Sequence, residues 1–290
     1  MATIQKVSGI DFANISKFDG VDISAVGSIN FIGKPATVTL LLDTYTGAAA
    51  AYSLRKLRTN YTGFAIKVQD NVGGATQDIG FNVFGELDTV SLLQYAGSND
   101  VFVETWFDQS GSGTDAEQPS STLRPKIVSL GTVIVENGKP AVQFDGSDDF
   151  FSTNQSIRTA TVFISEKGSQ SGRNTLFGSS SSGQEYLRTE GTTIRFQNGP
   201  NNLLLTGQTS GAHNLIYLDN VSSTTSLANN GGSSVTANIG TGAIPDFVIG
   251  QKSNGNFYNG NLQEIIIYNP SQSANRTEIE TNINAFYAIY

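Results

Sequence analysis

Val101-Phe102-Val103-Glu104-Thr105-Trp106-Phe107-Asp108-Gln109-Ser110-Gly111-Ser112-Gly113 carries a strand-like run into a glycine-rich acidic turn. Alternating apolar positions make the run a β-strand that ends at Trp106, the only tryptophan of the chain. Beyond it, Asp108 can accept hydrogen bonds from backbone amides, and Gly111 and Gly113 permit the positive φ of a tight turn. The expectation is an aromatic strand end braced by an aspartate.

Working outward, strand text dominates from Phe144 onward: Thr161 to Ser165, Thr193 to Phe196, Leu203 to Leu205, Asn214 to Leu218, Asp246 to Gly250 and Leu262 to Tyr268. Short strands separated by Gly, Ser and Asn indicate an all-β sandwich or jelly roll. After Tyr268, the spacing of Ile279, Ile283, Phe286 and Tyr287 predicts a closing helix within Arg276 to Tyr290. Two further helices are expected. Ala48 to Leu57 combines strong helix formers with Arg55 and Lys56 near its end, and Asp88 is an N-cap for a segment stopping at Gly97. Residues 35–42 read as a linker leading into a short strand.

Composition narrows the function. Charged residues are 14% of the 290, against about 25% in an average globular chain. The net charge of −8 supplies no basic cluster for phosphates, so no nucleic-acid partner is expected. With no cysteine and a single histidine, His213, disulfides, thiolate sites and multi-histidine zinc sites are excluded. His213 itself reads as a structural residue before a strand. No apolar run reaches the length of a membrane span, and Met1-Ala2-Thr3 opens no apolar signal region, so cytoplasmic synthesis without membrane insertion is expected. No cofactor and no metal are expected, because Asn71 to Ala75 and Asn229 to Gly232 are turn text without a phosphate-loop lysine. Asp145-Gly146-Ser147-Asp148-Asp149 has calcium-type oxygens but reads better as an acidic turn between strands.

The start of the chain repeats. Lys6-Val7-Ser8-Gly9-Ile10-Asp11 recurs eleven residues later as Lys17-Phe18-Asp19-Gly20-Val21-Asp22, and a degraded third copy begins at Ser28. Val7, Ile10, Phe12 and Ile15 share phase with Phe18, Val21, Ile23 and Val26. A unit this short cannot bury its own apolar face, so those eight side chains are the expected assembly contacts. The alternative is one hairpin of the main domain, with strands Lys6 to Ile10 and Phe18 to Val21.

Several segments resemble a known enzyme family. The tryptophan turn, with Tyr52 to Leu57, Tyr61 to Val68, Asp78 to Phe81, Arg124-Pro125 and Ala141 to Gly146 in that order, resembles the catalytic domain of family-54 α-L-arabinofuranosidases and related modules of bacteriophage structural proteins. The closing strand and helix resemble those of concanavalin A-like, laminin-G-type sandwiches. Lys-x-x-Gly-Val/Ile-Asp repeats resemble the openings of phage virion proteins. This resemblance implies a nucleophilic glutamate near Ile194 to Asn202, where Gln197 stands, and an acid/base aspartate near Gly250 to Gly255, where Gln251 or Lys252 stands. An amide neither ionises nor delivers a proton, so both catalytic roles are expected to be lost. The family's vicinal disulfide is impossible here. Glu185, Glu190, Asp219 and Glu264 are other carboxylates of the sandwich region, and Glu264 reads as a solvated strand residue. Tyr186, Tyr217 and Tyr268, like Phe257 and Tyr258, could stack on sugars, although sandwich cores use aromatics heavily.

The expectation is therefore an arm over residues 1–36 and a concanavalin A-like β sandwich over residues 37–290, with a few short helices. The chain would be a non-enzymatic structural protein of a virion, contacting other virion proteins and copies of itself through the arm. Its alternatives are a carbohydrate-binding adhesin and an active glycosidase. For a cell-surface glycan, the contact candidates are Trp106, Asp108, Gln197, Asn198, Asn254, Phe257 and Tyr258.

Overall fold

The computed structural model describes residues 39–158, 161–169, 172–180, 185–220, 224–241, 243–253 and 255–290, with four two-residue strands nearer the N-terminus. The chain divides into Met1–Val38 and Thr39–Tyr290. In the first unit Lys6–Val7 pairs with Ile10–Asp11, and Lys17–Phe18 pairs with Val21–Asp22. Each hairpin lies inside one repeat and uses the same register, Lys6 opposite Asp11 and Lys17 opposite Asp22. Among the described residues, a hairpin joining the two copies is not the pairing formed. Phe12, Ile15, Ile23, Val26 and Asn254 lie outside the described residues, as do the side chains of Val7, Ile10, Phe18 and Val21.

The second unit is an all-β, concanavalin A-like jelly-roll sandwich. In chain order its principal strands are β1 (Ala48–Ser53), β2 (Ile66–Asp70), β3 (Val101–Trp106), β4 (Lys126–Ser129), β5 (Val142–Asp145), β6 (Thr161–Gly168) and β7 (Arg173–Ser179). They continue as β8 (Glu185–Glu190), β9 (Thr193–Asn198), β10 (Asn201–Thr206), β11 (Asn214–Asp219), β12 (Thr225–Asn229), β13 (Phe247–Ile249) and β14 (Asn259–Tyr268). The helices are α1 (Thr89–Ala96) and α2 (Arg276–Tyr287), besides a single turn at Leu41–Thr44. One layer is organised by β14, which pairs antiparallel with β6 on one side and with β1 and β5 on the other, while β11 and β12 extend the sheet beyond β6. The other is the antiparallel run β13-β7-β8-β9-β10.

Alternation along each strand fills the space between the layers. Val162 and Ile164 of β6, Ile265 and Ile267 of β14, Leu187 of β8, and Ile194 and Phe196 of β9 belong to one buried cluster. Phe163, Ile266 and Tyr268 face the other way, where Ile279, Ile283 and Tyr287 of α2 cover them. Each such burial contributes about 1.5–3 kcal/mol. The spacing that predicted the closing helix thus marks the side it buries. α1 also forms as expected: Asp88 accepts from the Ser91 amide at 3.1 Å, and Gly97 ends it with a φ of 55°.

The helix expected over Ala48 to Leu57 is instead β1, and the strand expected before it is the Leu41–Thr44 turn. Helix propensity favours alanine, but here the alanines are the residues thin enough to lie between β14 and its surroundings. Ala50 and Ala51 are fully buried opposite Ile267 and Ile266. Tertiary burial overrides a propensity of a few tenths of a kcal/mol per residue, ~0.5 at most. Beyond Phe144, strands β7, β8 and β12 are additional to those read from the sequence; their polar text carries little apolar alternation.

Glu264 corrects the expectation of a solvated residue, since it is fully buried. Ser165 pairs with Glu264 and Glu166 pairs with Leu262, so Gln263 is the extra residue of a bulge. The bulge turns two successive polar side chains to one face. Gln263 reaches Ser165 and the carbonyls of Glu136, Lys139 and Pro140, while Glu264 reaches Arg55.

Candidate functional site

The tryptophan turn forms as the sequence leads one to expect, with internal partners. Trp106 is fully buried against Tyr52 and Phe151, with ring centroids 6.1 and 6.3 Å away. Asp108 Oδ1 accepts from the amides of Ala51 and Ser110, both at 2.8 Å. Its Oδ2 accepts from the Ser110 and Ser112 hydroxyls and the Thr114 amide. Gly111 and Gly113 take φ values of 92° and 73°. Gln109, also buried, accepts from the Leu57 amide and donates to the carbonyls of Ser53 and Arg55. Together Asp108 and Gln109 clamp the edge of β1. Trp106 is fully buried and both oxygens of Asp108 are taken by internal donors, which withdraws the two from contact with a glycan. Tyr258 is likewise fully buried, its hydroxyl bound to Glu166 at 2.8 Å. Each is a correction to the glycan-contact set.

The two positions assigned to catalytic carboxylates come together around Tyr186. On β8 and β9, Tyr186 stands opposite Gln197, and its hydroxyl donates to Gln197 Oε1. Gln197 Nε2 donates in turn to the Gly199 carbonyl at 2.9 Å. Across the ring, Lys252 Nζ lies 4.0 Å from the Tyr186 centroid and the Arg188 guanidinium 5.3 Å. Gln197 and Lys252, 55 residues apart in sequence, therefore share one aromatic neighbour. Asn198 ends β9 opposite Glu185, whose side chain lies outside the described residues, and Gln251 is buried. Phe257 is half-buried and, with Arg173, Asn174, Asn256 and Asn259, lines an open cavity of about 430 Å³.

This face is strongly cationic. Burial, and then the guanidinium groups of Arg188, Arg173 and Arg195, push the Lys252 amine below its ordinary range. Glu190 answers them at 3.2 Å from Arg173 and 2.7 Å from Arg188. Although burial pushes the other way, these arginines and Arg195 hold its carboxyl below the ordinary value. Arg188 stands directly opposite Arg195 on one side and Thr175 on the other. Like charges placed opposite one another destabilise a sheet. Thr175 Oγ1, Arg188 Nε and Arg195 Nε are all buried without a hydrogen-bond partner, at a cost of about 1–3 kcal/mol for each unmet group.

Other titratable groups are enclosed. Glu166 is fully buried, its carboxylate accepting from Asn214 and Tyr258, and burial raises its pKa to about 7 despite those bonds. The adjoining cavity, lined by Gly168, Thr189 and Asn214, measures about 10 Å³. That volume holds about one water and no sugar. His213 is buried between Ser165 Oγ and Asn137, each 3.0 Å from a ring nitrogen. Asn137 Nδ2 also donates to the Ala288 carbonyl, which fixes it as the donor to Nδ1 and leaves the proton on Nε2. The imidazole therefore donates to Ser165 and cannot take its proton. Burial pushes His213 down to about 4. At the acidic turn Asp145 Oδ1 accepts from the amides of Ser147 and Asp148, and Asp149 accepts from that of Asp145. Burial, then Asp145, raises Asp149 to about 7. Oxygens of the three aspartates lie within 4.8 Å of one another, but two of these residues are exposed, and an acidic cluster alone does not make a calcium site.

Glu166 gives a pH-dependent prediction. Its folded pKa is raised, so its contribution is complete below about 4.5, the ordinary value, and declines as pH rises through about 7. Glu166→Gln removes that decline. At about 1.4 kcal/mol per pKa unit, the variant is expected to exceed the parent by about 3 kcal/mol at pH 8 and to gain nothing below pH ~4.5. Urea unfolding of both proteins across that range checks it; an equal difference at every pH refutes the assignment. His213 has the opposite sense, losing stability as pH falls from 6.5 to about 4, and cancels in the difference.

No family model matches the sequence, and no curated protein matches it. Solved structures do. A family-54 α-L-arabinofuranosidase soaked with a cyclic sulfate inhibitor superposes with a TM-score of 0.67 at 15% identity, covering 86% of this chain and 65% of that one. An arabinofuranosidase complexed with arabinofuranosyl-α-1,2-xylobiose gives 0.65 at 14% identity, covering 86% and 64%. The chain thus spans about 65% of the length of the enzymes it matches. At this identity the likeness shows a shared fold, and it agrees with the family resemblance drawn from the tryptophan turn.

Proposed function

We propose that the protein is a non-enzymatic structural component of a virion, docked on other virion proteins and on copies of itself through residues 1–36, with the sandwich turned outward as a lectin-like module. The observation that carries this reading is the repeat whose copies fold as separate hairpins in identical register. Six-residue hairpins have too little apolar surface to stand alone, and an arm of them gains stability by lying on a foreign surface. Loss of chemistry is supported by Gln197, an amide held at both ends where the resemblance calls for a nucleophile, and by Lys252 where it calls for an acid/base. A capsid decoration and a tail or neck appendage fit equally.

A second reading, an adhesin for host glycans, is favoured by Phe257 on an open cavity with Asn256 and Asn259. Deletion of residues 1–36 is expected to abolish incorporation into particles while the sandwich keeps its circular dichroism. Normal incorporation of the truncated protein refutes docking through the arm. Hydrolysis of a chromogenic α-L-arabinofuranoside is expected to stay at background; turnover that disappears on Glu166→Gln or Glu190→Gln would restore the glycosidase reading.

A further inference from the structure

We propose that the outer face of β7, β8 and β9 binds the oxyanion of an acidic saccharide, held between Arg188 and Arg195. This rests on the reading of the sandwich as the outward, ligand-facing part. Thr175, Arg188 and Arg195 are cross-strand neighbours in one row, and each keeps a buried polar atom without a partner. Arg188 is 5% exposed, so water does not solvate its guanidinium freely. Two guanidinium groups set directly opposite each other repel, Glu190 pairs with Arg188 and Arg173 and so meets only part of that charge, and a planar fork suits a carboxylate or sulfate oxygen pair. Glu190 engages Arg188 through Nη2 and leaves Nε free.

The surroundings identify the carrier. Gln197 and Asn202 occupy the next row of the face, and Arg173 borders the cavity with Asn174, Asn256, Phe257 and Asn259. Amides and an aromatic edge match sugar hydroxyls and ring faces. A nucleic acid fits poorly, because a chain of net charge −8 repels an extended polyanion beyond the local patch.

Calorimetric titration of the full chain tests the proposal with oligogalacturonate, a sulfated oligosaccharide, a neutral xylo-oligosaccharide, a DNA oligonucleotide and sodium sulfate. At least one acidic saccharide is expected to bind about tenfold or more tighter than the neutral one, weakening as salt rises. Which of the two wins distinguishes carboxylate from sulfate. The double variant R188Q/R195Q is expected to lose that preference, and Lys252→Met, which leaves both arginines, to weaken it about threefold. Equal binding of acidic and neutral saccharides, no binding of either, binding unchanged in the double variant, or DNA or free sulfate binding as tightly as the saccharide overturns the proposal. Thermal unfolding of the double variant checks that it is folded; if it is not, the Lys252→Met titration decides, and unchanged affinity there counts against the site. Particle incorporation is read separately: loss of glycan binding with normal incorporation defeats this site alone, whereas loss of incorporation on deleting the arm leaves it untouched.

Discussion

Glu264→Ala is expected to destabilise the sandwich by about 3–5 kcal/mol, because it strands a buried guanidinium. Glu264 receives Arg55 Nε at 2.8 Å and Nη2 at 2.9 Å, and the Ser53 and Tyr287 hydroxyls at 2.7 and 3.2 Å. Arg55 continues to Asn282 of α2 and lies 4.9 Å from the Phe286 ring. One carboxylate thereby ties β1, β14 and α2. Its loss leaves a cation in a site that water does not reach, and the effect exceeds that of losing an exposed ion pair, about 0–1 kcal/mol. Urea midpoints at unchanged slope measure it. Glu264→Gln keeps the shape and removes the charge, and is expected to fall between alanine and the parent. A loss below about 1 kcal/mol for alanine would mean that the pair contributes no more than a surface bridge.

Asp108→Ala is expected to cost about 3 kcal/mol, the worth of a charged acceptor serving several donors. Five donors converge on this carboxylate, and among them is the amide of the fully buried Ala51. Hydroxyls of Ser110 and Ser112 can rotate toward other acceptors, such as the Ala49 carbonyl; the amides of Ala51 and Thr114 cannot. Asp108→Asn is accordingly expected to recover part of the loss, since its oxygen can face Ala51 while its amide group faces the hydroxyls. If asparagine and alanine are equally destabilising, charge rather than directed hydrogen bonding is what the turn requires. Hydrogen exchange at Ala51 supplies an independent reading, with faster exchange expected in the alanine variant.

Much of the architecture was legible because local chemistry and tertiary need agree there. Asp88 and Gly97 bound α1 by their own capping chemistry, and Ile279, Ile283 and Tyr287 mark one helical side that the sheet covers. The tryptophan turn was legible for the same reason: aspartate and two glycines write a turn whatever surrounds it. Ala48 to Ser53 was misread because alanine is ambiguous in isolation, good in a helix and also small enough for a crowded strand. At the site, Gln197 and Lys252 were found through a resemblance, and each touches Tyr186. Arg188 and Arg195 carried no signal, since two arginines on separate strands look like ordinary solvated charges until register sets them opposite each other.

By itself the sequence determined the strand-rich class, the turn after Trp106 with its local Asp108 contacts to Ser110, Ser112 and Thr114, the two helix boundaries and the repeat of the first residues, all governed by interactions within a few residues along the chain. Only the tertiary structure decided that Glu264 is buried under α2, that Tyr186 gathers Gln197 and Lys252, and that Arg188 confronts Arg195. Those outcomes depend on strand register and on one bulge at Gln263. A shift of a single residue there would send each side chain to the opposite face of its sheet.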